Sequence, residues 1–117
     1  ETECKIEGMQ KALTVLATIV SRPTEERAVI DAGRKTYDMS STDPIVLQPA
    51  GITVSRQSAE HGEILLDESA RNLSIGDRLE IVPGYSDMTC VLHNHFYAFR
   101  NNQLEAIIPI ASRGFLR

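Results

Sequence analysis

Asp77-Arg-Leu-Glu-Ile-Val-Pro83 alternates strictly, with Leu79 and Ile81 on one side and Arg78 and Glu80 on the other. A period of two belongs to extended chain, whose successive side chains point to opposite faces. One apolar and one charged face predict a half-buried strand of an antiparallel sheet. Upstream, Ala12-Leu-Thr-Val-Leu-Ala-Thr-Ile-Val20 has β-branched residues at five of nine positions and no helical stripe. It predicts a strand covered on both faces and ended by Ser21-Arg22-Pro23. Ala28–Asp31, Ile45–Leu47, Ile52–Ser55 and Glu63–Leu66 are short apolar runs set off by Gly33, Pro44, Pro49, Gly51 and Gly62, and each predicts a strand. Downstream, Thr89-Cys-Val-Leu92 continues the strand pattern. Phe96–Arg100 and Leu104–Ile110 flank Asn101-Asn102, and asparagine tolerates the positive φ of a two-residue type I′ turn, so a hairpin is expected there. Asp67–Leu73 is the only helical turn expected. Seven to nine short strands at close spacing predict an all-β, mainly antiparallel barrel or sandwich with one or two helical turns.

The 117 residues, 42% hydrophobic and 24% charged, make one globular domain. A chain of this size buries about two-thirds of its unfolded surface, enough for a core. No internal repeat or long polar linker divides it. Twelve Lys and Arg against sixteen Asp and Glu give a net charge of −4, with the basic residues scattered, which excludes a nucleic-acid face. The longest apolar run falls well short of the ~20 residues of a membrane span. No secretory pattern is visible, and a cytoplasmic location is expected. The chain opens on Glu1 rather than Met, the mark expected of a processed product or a piece of something longer. Cys4 and Cys90 are expected as free thiols of a reducing compartment.

Four places carry residue types that do chemistry: Ala59-Glu-His-Gly62, Tyr85-Ser-Asp87, the His93/His95 pair, and Asp31-Ala-Gly-Arg-Lys35. On a straight strand His93 and His95 would point the same way, within reach of one metal. Asp87 reads either as an oxygen ligand for a hard cation or as the Asx residue closing its loop. His61 beside Gly62 reads as a backbone-bonded strand-start histidine or as a site residue. Asp31 to Lys35 reads as a charged turn with Gly33 supplying positive φ. No phosphate-cradling glycine loop, nucleophile elbow or His-Glu-x-x-His is present.

Ala12–Pro23, Ala28–Lys35, Ser58–Gly62, Gly76–Pro83 and Ile108–Gly114, in this order, resemble the C-terminal β-domain of the D-threonine aldolase and D-serine dehydratase-like enzymes. These are pyridoxal-phosphate lyases of the alanine-racemase fold type. The resemblance runs from Ala12 to Gly114, about a hundred residues, and implies a two-part enzyme. An N-terminal α/β barrel of ~250 residues would carry the cofactor on a lysine, and this domain would close the active site and join a homodimer interface. That barrel is absent from this sequence. Lys5, Lys11 and Lys35 lack the family's Schiff-base context, so no cofactor-binding residue is expected, and the domain is expected to be inactive alone. Without its barrel, an apolar face is expected to lie uncovered.

The family holds a divalent metal with a His-x-Cys or His-x-Asp pair just after the strand ending in Pro. Tyr85-Ser86-Asp87 occupies that position, so the resemblance implies Asp87 as a ligand suited to Mn²⁺ or Mg²⁺ rather than Zn²⁺. Tyr85 departs from the pattern, and its phenol is a poor ligand or, in the ligand's place, an acid or base at the substrate's β-hydroxyl. His93 is expected to replace the lost metal ligand, and His61 is the second catalytic candidate. The substrate implied is a D-3-hydroxy amino acid, cleaved by retro-aldol chemistry or dehydrated, or epimerised as in racemases. The rival reading is a stand-alone, non-catalytic β-barrel serving binding or dimerisation.

Overall fold

The computed structural model describes residues 7–115. Eight strands follow in order: β1 (Val15–Thr24), β2 (Arg27–Ile30), β3 (Ile45–Gln48), β4 (Ile52–Gln57), β5 (Gly62–Leu66), β6 (Arg78–Val82), β7 (His95–Arg100) and β8 (Gln103–Pro109). A single 3₁₀ turn, Glu68–Ala70, follows β5, and a five-residue helix, α1 (Ser86–Cys90), follows β6. The first six strands form one antiparallel sheet in the order β3-β6-β1-β2-β5-β4. Its two edge strands, β3 and β4, lie against each other, so the sheet curls into a nearly closed barrel. The expected all-β fold is what forms. No helix among the described residues is long and apolar enough to cross a membrane.

The barrel's corner is visible in β1. Val15 to Thr18 pair with β6, and from Ile19 onward the strand pairs with β2. At the changeover the Asp31 carboxylate accepts the Thr18 amide at 2.7 Å and the Asp31 amide donates to the Thr18 carbonyl. Asp31 thereby keeps the ladder satisfied where the partner strand changes. Alternate residues fill the interior: Ile19, Ile30, Ile64, Leu79 and Ile81 have at most 1% of their surface exposed. Each such side chain contributes about 1.5–3 kcal/mol by burial. Tyr37 is as deeply buried, and its hydroxyl has no partner among the described residues. Burial pushes its pKa up.

Four expectations need correction. The β1 run is not covered on both faces: Val15, Ala17 and Ile19 are buried, but Leu16 is 65% exposed, because no layer of the described residues lies over that side. Nor does Ser21-Arg22-Pro23 end the strand. The ladder continues to Thr24 through two register breaks, and Pro23 sits between the paired positions Ser21 and Thr24, where its missing N–H costs the ladder nothing. Thr89–Leu92 is not a strand but the end of α1 and the turn after it. Gly33 does not have positive φ. Its role is close approach: a Cβ there would lie 2.5 Å from the His61 amide nitrogen and 2.7 Å from the Ala59 carbonyl oxygen.

The hairpin forms as expected, with Asn101 and Asn102 at φ 50° and 60°. It is a separate two-stranded sheet, not hydrogen-bonded into the six-stranded one. Phe96 pairs with Ile108 on one face, and Tyr97 with Ile107 on the other, and all four are exposed. A ribbon apolar on both faces is marginal alone in water.

Candidate functional site

The predicted site residues fall into two groups, joined by the segment from Asp31 to Asp38. His61 ends the turn between β4 and β5. Ser58 closes that turn, its amide and hydroxyl both donating to the His61 carbonyl, while the His61 amide donates to the Ser58 hydroxyl at 3.1 Å. The connecting segment grips the same turn, since the amides of Arg34 and Lys35 donate to the carbonyls of Ser58 and Ala59. His61 is exposed and lines a shallow depression with Val29, Arg56, Gly62 and Glu63. Lys35 closes the turn from outside by an ion pair with Glu60.

Tyr85, Asp87 and His93 make the second group. As β6 ends at the buried Pro83, the chain crosses Asp38: the amides of Gly84 and Tyr85 both donate to the Asp38 carbonyl, at 2.9 and 3.3 Å. Asp38 and Tyr85 thus form an isolated antiparallel bridge. The Thr42 hydroxyl donates to the Gly84 carbonyl at 2.8 Å. Tyr85, 38% exposed, then stands at the N-cap of α1 in extended conformation. Asp87 is exposed in the first turn of the helix. Both side chains face outward, where a substrate or another domain can reach them.

His93 follows α1, half-buried, with Nε2 at 2.7 Å from the Thr36 carbonyl oxygen. A carbonyl only accepts, so Nε2 carries the proton and the Nδ1 lone pair of the neutral ring is left for a ligand or a proton. His95 begins β7, so the two histidines do not share a strand face as expected. Cys90 is a free, half-buried thiol, and burial together with the nearby Asp87 charge pushes its pKa up. A thiol kept protonated in this way is a poor nucleophile or metal ligand. Cys4 lies outside the described residues.

Among the described residues no three His, Cys, Asp or Glu side chains converge on one point. Asp87 and the Nδ1 of His93 are donors suited to a hard or borderline cation, but among the described residues they do not make a complete site. A cofactor Schiff base fits no better. Lys35 is exposed and ion-paired, Lys11 is exposed, and Lys5 lies outside the described residues. The residues that the sequence reading missed are Asp38 and Thr89. Both act through backbone partners, which leave no pattern in the sequence.

The Asp38 carboxylate accepts the Ser40 amide at 2.7 Å and the Ser40 hydroxyl, and these bonds hold its pKa below the usual carboxylate value. A depressed folded-state pKa adds stability that is present above the unfolded value of 3.8 and is lost as the pH falls through the folded one. Asp38→Asn should therefore flatten the acid limb of stability below about pH 4. Thermal unfolding of both proteins at pH 2.5 to 6 checks this, and parallel acid limbs would contradict it.

The family described as putative serine dehydratase domain matches residues 12–99. A D-threonine aldolase from an Arthrobacter species is 32% identical over 110 residues, 94% of this chain and 29% of that enzyme. The 3-hydroxy-D-aspartate aldolase of Paracoccus denitrificans is 31% identical over 105 residues, 90% of this chain and 27% of its own. The crystal structure of D-threonine aldolase from Filomicrobium marinum superposes with a TM-score of 0.81 at 29% identity, covering 89% of this chain and 29% of that one. The D-threo-3-hydroxyaspartate dehydratase from Delftia sp. HT23, at 19% identity and a TM-score of 0.61, shares the fold. This chain spans less than a third of each of these proteins.

Proposed function

This chain belongs to the putative serine dehydratase domain family, and from that premise we propose that it is the small β-domain of a pyridoxal-phosphate-dependent lyase acting on D-3-hydroxy amino acids. The observation that carries the reading is the superposition on D-threonine aldolase, which accounts for 89% of this chain and 29% of that enzyme. The cofactor, an electron sink at the substrate's α-carbon when bound, belongs to a preceding barrel domain, since no lysine among the described residues has a suitable setting.

This chain's residues work at the substrate's other end. As phenolate, Tyr85 would take the β-hydroxyl proton in cleavage, and as phenol it would give its proton to the departing hydroxyl in dehydration, while the neighbouring Asp87 carboxylate orients that hydroxyl or would hold a divalent cation of the Mn²⁺ or Mg²⁺ type. His93 contributes through Nδ1, and His61, on the opposite turn, is the second proton-handling candidate. The hairpin supports the reading from another direction. Its two uncovered apolar faces and the uncovered Leu16 side of β1 suit a barrel of the same or a partner subunit in a homodimer. We place the enzyme in the cytoplasm, where the Cys90 thiol stays reduced.

The test is the longest natural polypeptide containing this sequence, assayed with D-threonine and with D-threo-3-hydroxyaspartate. Aldehyde and glycine indicate cleavage, and ammonia with a keto acid indicates dehydration. Either product from the long chain, with none from residues 1–117 alone, supports the assignment. Neither product from the long chain, or turnover by the short one, overturns it. In sedimentation of the long chain, Tyr97→Asp with Ile107→Asp should lower the mass, and an unchanged mass would remove the hairpin from the interface.

A further inference from the structure

Apart from the Tyr37 phenol, Thr89 is the one buried polar side chain among the described residues, with 2% of its surface exposed. Its hydroxyl uses both of its capacities. It donates to the Tyr85 carbonyl at 2.7 Å and accepts the Asp38 amide at 3.0 Å. We infer that Thr89 is a positioning residue: by joining Tyr85 to Asp38, its hydroxyl fixes where the Tyr85 phenol and the Asp87 carboxylate are presented. The inference rests on the role proposed above for those two groups.

A five-residue helix cannot hold itself. Nucleation is unfavourable at that length, and α1 has no side-chain N-cap. Its placement must therefore come from contacts outside it, and Thr89 supplies the central one. The Asp38 end of the bond is itself fixed, because the Asp38 carbonyl takes the amides of Gly84 and Tyr85. Two residues earlier Thr36 holds His93, and beyond it Lys35 and Arg34 hold the His61 turn. One hydroxyl thus ties the Tyr85–Asp87 turn to the strut that carries the other candidate side chains. Loss of that hydroxyl would leave the Asp38 amide without its partner and free the turn.

Packing and positioning roles make opposite forecasts for two substitutions. Valine keeps the shape of threonine and loses the hydroxyl, whereas serine keeps the hydroxyl and loses a methyl. If Thr89 only fills space, Thr89→Val is harmless and Thr89→Ser is the worse variant. If it positions, the order reverses.

The experiment uses the full-length polypeptide with D-threonine as substrate and hydrogen exchange of the peptide covering residues 84–90. Thr89→Val is expected to lower kcat at least tenfold with KM within about twofold, and to speed exchange of that peptide about tenfold while peptides of β1 and β5 are unchanged. Thr89→Ser should stay close to the unsubstituted enzyme in both readouts. In a Tyr85→Phe, Asp87→Asn background, Thr89→Val should cost little more, because positioning matters only while there is something to position. Unchanged exchange in Thr89→Val, or a greater loss with Ser than with Val, overturns the inference. If Tyr85→Phe and Asp87→Asn leave kcat intact, or the unsubstituted chain fails to turn over, the proposed site falls, and the positioning inference, which rests on it, falls too. Accelerated exchange would then show only that the hydroxyl holds the turn.

Discussion

Tyr85→Phe in the full-length enzyme is expected to lower kcat on D-threonine by about 10²–10⁴, the range that a positioned acid or base contributes. The substitution removes one oxygen from a residue that is 38% exposed and leaves the backbone bridge to Asp38 in place. Stability should therefore hold within about 0.5 kcal/mol, as for surface changes that touch no special feature. A large kinetic loss with an unchanged unfolding midpoint would identify chemistry rather than structure as the cause. Steady-state kinetics beside thermal unfolding decide it. A kcat within twofold of the starting enzyme would remove Tyr85 from the reaction and leave Asp87 as the main candidate of this segment.

Gly84→Ala should instead strike at the fold beneath the site. A Cβ at this position would lie 1.9 Å from the Thr42 carbonyl oxygen and 3.0 Å from the Met39 Cα. Both are backbone atoms, so no flexible side chain can yield. The segments must part, at the expense of the Gly84 amide bond to the Asp38 carbonyl and the Thr42 hydroxyl bond to the Gly84 carbonyl. Overpacking of this kind costs about 1–3 kcal/mol, and each lost hydrogen bond adds about 1. The sum, about 3–5 kcal/mol, is a large part of the 5–15 kcal/mol that holds a typical domain. The expected result is a Tm lowered by more than about 10 °C, read by calorimetry. A fall below about 3 °C would mean that the 38–42 segment moves aside at little cost.

The strands were legible because their residues carry the signal themselves. Leu79 and Ile81 alternate with charges, and Asn101-Asn102 can adopt a backbone that few other pairs tolerate. The reading failed where tertiary contact overrode local pattern. Thr89 and Val91 are β-branched and suggest extended chain, yet Thr89 is drawn into a helical turn by hydrogen bonds to residues 85 and 38. The second face of β1 was misjudged for a related reason: Leu16 is apolar, but no described residue covers it. At the site, residue type alone marks the stretches that hold Tyr85, Asp87, His61 and His93, and the match to a family pattern is what gives them roles. The pairing of His93 with His95 failed because the strand begins only at His95 and His93 lies in the connection after α1. Asp38 could not be found at all, since its part in the site is played by its amide and carbonyl.

The placement of β6 between β1 and β3 has a consequence for how the molecule comes into being. Val15 pairs with Ile81 and Ile45 with Val82, so the barrel's last strand to be synthesised is the one its first strand needs on one side. Hairpins between β1 and β2 and between β4 and β5 can form locally as the nascent chain emerges, but the sheet cannot round its corner until Val82 has left the ribosome. Until then Leu79 and Ile81, the two apolar side chains that β6 brings to the interior, are missing from the incomplete core. Long-range closure of this kind sets the folding rate through the loop entropy that must be overcome first. Substitutions in β6 should therefore register in the yield of folded chain before they register in turnover.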